Sequence, residues 1–506
     1  MPADFDIYVI GGGINGCGIA RDAAGRGFSV ALCEMNDLAG ATSSASTKLI
    51  HGGLRYLEYY KFRLVREALA EREVIWRNAP HIVRPLRFVL PHHEGLRPAW
   101  LLRLGLALYD RIGGRTKLPG TRSFDLSEDD AGKPLKPSYR RAFEYSDCTV
   151  DDSRLVVLNA RDAADKGAVI KTRTRFRSAS RRDEVWRIAT EDTLTGEEET
   201  STARFIVNAS GPWVDRVLAT SVDGTAKNVR LVQGSHIVVH KIFDHDRCYL
   251  FQTSDKRVVF AIPYQQDYTL IGTTDLDHEG EPSDTEVTPR EVSYLCDAVN
   301  RYFSQAVSED DVVWAYSGVR ALYDDGATAA QDATRDYVLR QDGEEGDAPI
   351  LNVFGGKITT YRRLAEAAVK MIEEHLGPRQ PSWTRTAPLP GGDFGIDGLD
   401  ALVSMARSRT PFIETSQLRR MVDAYGTLIA DVVGDAGSAE DMGEDFGCGL
   451  TAREVSYLME REWAQTADDV LWRRSKLGLT MSPEQVHRLS EWMRNHTRGP
   501  VEGSDV

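Results

Sequence analysis

Between Gly40 and Glu58 the chain reads GATSSASTKLIHGGLRYLE, which sets Thr42, Ser43, Ser44, Ser46 and Thr47 directly before Lys48, His51, Arg55 and Tyr56. Hydroxyls can bond the polar edge of a cofactor, an imidazole can take a proton near neutral pH, and a guanidinium can grip an anion through paired hydrogen bonds. The same composition also suits a plain loop that caps a helix and leaves its charges in water. Upstream, Gly11, Gly13 and Gly16 carry the spacing GxGxxG, and Glu34 follows eighteen residues after Gly16. Glycines so spaced let backbone N–H groups and a helix N-terminus approach a pyrophosphate, while a carboxylate at Glu34 can accept from a ribose. A second glycine turn, Gly355-Gly356, precedes Lys357. A cation in a first helical turn opposes the helix dipole, and an anion beside it removes the conflict. The negative edge of a reduced flavin suits that place, and a lysine turned to solvent is the competing reading.

These residues need elements to position them. FDIYVI, the glycine turn, a helix-permissive stretch and SVALCE read as strand, turn, helix and strand, the first unit of a dinucleotide-binding fold. FRLVREALAEREVIW places Phe62, Val65, Leu69 and Trp76 on one face and predicts an amphipathic helix. DDSRLVVLNARDAADKG predicts another helix, and GAVIKTRTRFRSAS, EVWRIATE and ARFIVNASGPW a strand meander. GSHIVVH, RVVFAIPY and YTLIGTTD read as antiparallel strands with QQD as one turn, and APILNVFGGKITTYRRLAEAAVKMIEEHLG as strand, Gly-Gly turn and helix. Past about Pro390 the composition changes to helical stretches joined by Gly/Asp/Ser-rich linkers, which marks a separate domain.

With 506 residues the chain exceeds one ordinary core, and its net charge of −14 argues against general nucleic-acid binding, so no nucleic acid is expected as a partner. Six cysteines without a CxxC pair fit reduced thiols, and no metal-ligand rhythm is present, so no metal is expected. There is no signal-peptide layout and no apolar run of about 20 residues to span a bilayer.

VIGGGINGCGIARDAAGRG, ATSSASTKLIHGGLRYLE, FEYSDCTVDDSRL, NASGPWV, GSHIVV, IGTTD, YSGVRAL, TRDYVL and VFGGKITTYR occur in this order from about residue 5 to 365. Together they resemble the FAD-dependent glycerol-3-phosphate dehydrogenases, the aerobic, respiratory type. The resemblance implies an α/β fold: a glutathione-reductase-like, Rossmann-type FAD domain (1–80, 150–230 and 335–385), an antiparallel-sheet substrate domain (81–149 and 231–334) and a helical C-terminal domain (386–506). It implies FAD contacts from Gly11, Gly13, Asn15, Gly16, Glu34, Thr42, Ser43, Ser44, Thr47, Lys48, Leu49, Gly211, Gly356, Lys357 and Thr359. Oxidising a secondary alcohol requires a base for the hydroxyl proton; His51 is the first choice and His236 the second, because an arginine stays protonated. Arg320 and Arg335 are expected to clamp the phosphate, Arg55 to lie near the hydroxyl end with Tyr56 and Thr274, and Lys357 to share in catalysis. One departure is Ala321 where proline is expected after the arginine.

The resemblance further implies glycerol 3-phosphate as substrate, a membrane quinone as acceptor, peripheral attachment to the inner face of the cytoplasmic membrane and a possible homodimer. From Val83 to Arg122 eight basic residues face only Glu94 and Asp110, beside Trp100, Leu101, Leu102, Leu104, Leu106 and Leu108. That segment reads equally as a lipid-facing surface or as a buried helix with arginines at its rim. Other readings are an oxidase using oxygen, an FAD-dependent amine or amino-acid oxidase, and a flavin-binding sensor without catalysis.

Overall fold

The structure, a computed structural model, describes residues 3–114, 116–182, 184–221, 228–253, 255, 257–324, 336–343 and 346–497. Two sheets organise it. In the first, five parallel strands run in the spatial order Ile350–Phe354, Glu198–Asn208, Phe5–Ile10, Val30–Cys33 and Val169–Lys171. Parallel strands covered on both faces need continuous apolar runs, and VALC and ILNVF are buried throughout. An antiparallel hairpin, Thr174–Arg182 and Val185–Asp192, extends this sheet from Glu198–Asn208. Helix α1 (Ile14–Gly25) leaves the first strand at the glycine turn, and the pairing of Phe5–Ile10 with Val30–Cys33 completes the expected unit.

Helix α2 (Phe62–Asn78) begins at the predicted residue and buries Val65, Leu69 and Trp76. Strand Val83–His92 follows, then helix α3 (Ala99–Ile112) and, after strand Arg141–Val150, helix α4 (Asp152–Asp165), which packs with α1 in the main core. The second sheet is mostly antiparallel and is built around Val229–His240, which pairs with Tyr268–Gly272 on one side and Val312–Tyr323 on the other. The QQD turn is present, with Gln265 and Gln266 both at positive φ. Beyond Pro390 the helices Leu399–Arg409, Thr415–Tyr425, Ala452–Glu462 and Pro483–Thr497 enclose their own core of Leu418, Met421, Val455, Leu458 and Leu489.

Candidate active site

The carboxyl ends of the parallel strands open onto a cavity of about 1430 Å³ that the second sheet walls from the far side. Ligands of open α/β sheets bind at this place because strand ends and helix N-termini present unsatisfied backbone groups. The glycine turn is tight for steric reasons: Gly11 has φ of +110° and a Cβ there would lie 2.6 Å from Ala209 O, and one on Gly16 would lie 1.9 Å from Gly11 O. Gly16 therefore acts behind the lining, where α1 crosses the turn, while Gly11 and Gly13 face the cavity. The Glu34 carboxylate accepts from Gly12 N–H at 2.7 Å and Asn36 N–H at 2.9 Å, and burial raises its pKa. It thus locks the turn as well as lining the cavity.

Asn15 bridges the two glycine turns by donating to Gly355 O at 3.2 Å, and its buried Oδ1 has no hydrogen-bond partner among the described residues. A buried acceptor without a donor is costly, and a polar ligand in the cavity would satisfy it. Gly211, Gly356, Lys357, Thr359, Thr42, Ser43, Thr47 and Leu49 also line the cavity. Ser43 Oγ accepts from Ile14 N–H at 3.0 Å, and Thr42 Oγ1 donates to Val319 O at 2.6 Å. The hydroxyl stretch therefore ties α1 to the second sheet.

Besides Gly16, two of the expected cofactor residues do not reach the cavity. Ser44 turns its hydroxyl back onto Ala41 O at 3.2 Å. The Lys48 ammonium is buried and bonds both Asp152 oxygens at 2.9 Å, because a lysine held away from water needs a counterion.

At the other end of the hydroxyl stretch, His51 lines the cavity with Arg55 and Tyr56. Its backbone N–H donates to Thr359 Oγ1 at 3.3 Å, and its ring meets Phe260 edge-on at 6.3 Å. Burial, then the Lys357 and Arg72 cations, pull the imidazole down to about 4, so it is neutral at physiological pH. Lys357 Nζ stands 3.9 Å from the centre of the Tyr56 ring, and Arg55 donates to Tyr59 OH at 3.2 Å.

His236 is fully buried outside the lining, stacked on Tyr316 with Nε2 bonded to Thr47 Oγ1 at 3.0 Å. Its pKa is also depressed, by burial and then by Arg320 and Lys48, yet Thr47 stands between it and the cavity. Thr274 is likewise buried behind the wall; its hydroxyl accepts from Ser235 N–H at 2.9 Å and donates to Glu291 at 2.7 Å. Arg320 does line the cavity, paired with Asp275 and donating to Thr273 Oγ1 at 3.3 Å. Arg335 lies outside the described residues.

Sequence reasoning passed over three supports. Asp275 fixes the Arg320 guanidinium, and it stood in the quoted IGTTD string. Phe260 packs on His51 from the second sheet. Below Gly52, Tyr109 OH accepts from Gly52 N–H at 2.8 Å and donates to Asp147 at 2.7 Å, and Asp147 accepts from Arg72 at 2.7 Å. Gly52 and Asp147 stand in two of the strings above, but no local pattern links them to Arg72 and Tyr109, since the chain joins residues far apart in sequence.

A Rossmann-type sheet whose glycine turn opens under an antiparallel wall defines a flavoprotein oxidoreductase, and sequence comparison assigns the same class. The chain belongs to the FAD dependent oxidoreductase family, whose model matches residues 6–397, and the model for the C-terminal domain of alpha-glycerophosphate oxidase matches residues 382–496. It is 50% identical over 496 residues to the D-erythritol 1-phosphate dehydrogenase of Brucella abortus, covering 98% of each chain. It is 49% identical over 492 residues to the glycerol-3-phosphate dehydrogenase of Pseudomonas aeruginosa, covering 97% of this chain and 95% of that one. Among solved structures, the Bacillus halodurans glycerol-3-phosphate dehydrogenase complexed with FAD superposes with a TM-score of 0.78 at 27% identity, over 97% of this chain and 90% of that one.

Proposed function

We propose that the protein oxidises the secondary hydroxyl of sn-glycerol 3-phosphate, giving dihydroxyacetone phosphate. The observation that carries this reading is the set of His51, Arg55, Tyr56, Arg320 and Lys357 around one cavity, in a chain whose relatives match it almost end to end. FAD, when bound, supplies the two-electron acceptor for the hydride. Gly11, Gly13, Asn15, Glu34, Thr42, Ser43, Thr47 and Gly356 would hold it. His51, neutral and on the lining, takes the hydroxyl proton. Arg320 grips the phosphate with a guanidinium that Asp275 keeps in one orientation. Arg55 and Tyr56 shape the hydroxyl end, and Phe260 with the Gly52 anchor fixes the imidazole. A second reading, a four-carbon polyol phosphate as substrate, is favoured by the Brucella relative. Both substrates present a phosphate handle and a secondary hydroxyl, so the same residues serve either.

For the acceptor we propose a membrane quinone, with attachment at the inner face of the cytoplasmic membrane. Among the described residues no helix is long and apolar enough to cross a membrane. However, α3 exposes Trp100 (69%) and Leu104 (60%), and the neighbouring loop exposes Tyr60 (80%), a cavity-lining residue. An apolar surface beside the cavity mouth suits an acceptor dissolved in lipid. Turnover assays with a ubiquinone analogue or with air, using each polyol phosphate and identifying the ketose product, test the whole reading. Faster turnover with quinone and dihydroxyacetone phosphate as product is expected; turnover with oxygen alone removes the quinone, and no ketose phosphate from either substrate removes the activity.

A further inference from the structure

Residues Asp469–Arg474 of the C-terminal domain form a π-helical turn, with Ser475 N–H donating to Val470 O at 2.9 Å. Such wide turns recur at functional positions. None of these residues lines the cofactor cavity. Together with Lys476, however, the turn is bonded to both loops that do.

The first loop follows Glu34. Asn36 and Ala39 line the cavity, and between them Asp37, 1% exposed, accepts from Arg473 at 2.5 Å and from Arg474 at 2.8 and 2.9 Å. Asp469 accepts from Arg173 at 2.7 and 2.9 Å, and Arg173 N–H donates to Asn36 O at 2.9 Å. The second loop is the hydroxyl stretch. Trp472 stacks on Trp314 with ring centres 4.6 Å apart, Trp314 meets Tyr316 at 4.8 Å, and Tyr316 stacks on His236 at 4.9 Å. Tyr316 OH then donates to Ser46 O at 2.8 Å, and His236 bonds Thr47 Oγ1 at 3.0 Å. Lys476 donates to Ser153 Oγ at 3.0 Å, next to the Asp152 carboxylate that holds Lys48 and accepts from Ser46 Oγ at 2.7 Å.

Apart from a single 3₁₀ turn at Thr42–Ser44 both loops are irregular, so side chains from elsewhere must set their shape. Binding a ligand to loops already ordered avoids the entropy of ordering them. We infer that Trp472, Arg474 and Lys476 are positioning residues for FAD, through which the C-terminal domain holds the 36–40 and 42–48 loops in their cofactor-receiving shape. The inference rests on FAD binding and is independent of which polyol phosphate is oxidised. It also gives His236 and Lys48, both off the lining, a place in the site.

The test uses the full-length chain, stripped of flavin and titrated with FAD while flavin fluorescence is followed, alongside calorimetry of the flavin-free protein. Trp472→Ala is expected to weaken FAD binding about tenfold, an effect of the size an aromatic stacking partner can exert. Trp472→Phe is expected to restore most of the affinity, and Lys476→Met to weaken it independently. In all three the flavin-free melting temperature stays within about 4 °C of the parent, the shift that ~1 kcal/mol makes in a large domain. Unchanged FAD affinity in Trp472→Ala or Lys476→Met overturns the inference. So does a loss of affinity matched by collapse of the flavin-free melting temperature, because that marks a purely structural role.

Discussion

His51 and His236 are alike in type and in lowered basicity, and their different surroundings give them different roles. His51 lies on the cavity lining with Thr359 and Phe260, whereas His236 holds Thr47 from behind. His51→Asn should slow flavin reduction by polyol phosphate by about 100-fold or more, the usual worth of a positioned base, with little change in substrate affinity. Stopped-flow absorbance under nitrogen checks this, and a normal rate would remove His51 as the base. His236→Asn should spare the reduction rate of fully loaded enzyme and weaken FAD retention instead. Arg320→Lys keeps the charge but loses the planar fork, so the KM for the phosphate substrate should rise about 10- to 100-fold. An unchanged KM would mean that Arg320 serves only its pair with Asp275.

Among the elements, α3 and the strand before it bear on the proposed lipid contact. Five of the eight basic residues between Val83 and Arg122 have carboxylate partners from elsewhere in the fold: Arg84 pairs with Asp423, Arg87 and Arg122 with Glu144, Arg97 with Glu58 and Lys117 with Asp397. A linear count could not see carboxylates contributed from other parts of the chain. Nor is the helix simply buried: Leu106 and Tyr109 face inward, while Trp100, Leu104 and Leu108 are exposed. The proposed membrane attachment would draw mainly on these apolar side chains. A Trp100→Ser, Leu104→Ser double variant should lose most co-sedimentation with anionic vesicles, while Arg97→Gln should have little effect. Undiminished sedimentation of the double variant would place the lipid contact elsewhere. The strands and helices around the glycine turns were legible because their period and punctuation are local. The Gly52–Tyr109–Asp147–Arg72 chain was not, because Gly52 and Asp147 fall in separate recognised strings and Arg72 and Tyr109 in none, so only the fold brings them together.

Across the whole molecule, three histidines set an acid limit: His81 and His236, fully buried, and His51, half-buried on the cavity lining. His51 is pulled down to about 4 and His81 to about 3, and His236 lies well below its usual value; burial is the leading cause in each. Unfolded, each binds a proton near pH 6.5, so the stability gained from keeping them neutral is complete above that pH and is lost progressively as pH falls toward 4. The melting temperature should therefore drop steadily between pH 7 and 5, before most carboxylates titrate. Among the described residues His81 has no hydrogen-bond partner on either ring nitrogen, and it packs against Phe394, Gly391 and Gly426, where the C-terminal part meets the rest. His81→Gln should flatten that slope, and an unchanged slope would assign the acid loss to other groups. The change in composition near Pro390 revealed that a helical domain was present, but its bonds to the cofactor loops run through Asp37 and Trp314, which lie in none of the recognised strings, and past Asp152, whose string says nothing of a partner in that domain. Anaerobic titration of the purified, FAD-loaded protein with sn-glycerol 3-phosphate, followed at the flavin absorbance band, tests the central claim most directly. Stoichiometric bleaching by the phosphate ester but not by glycerol is the predicted result; a flavin that stays oxidised with both glycerol and erythritol phosphates would contradict it.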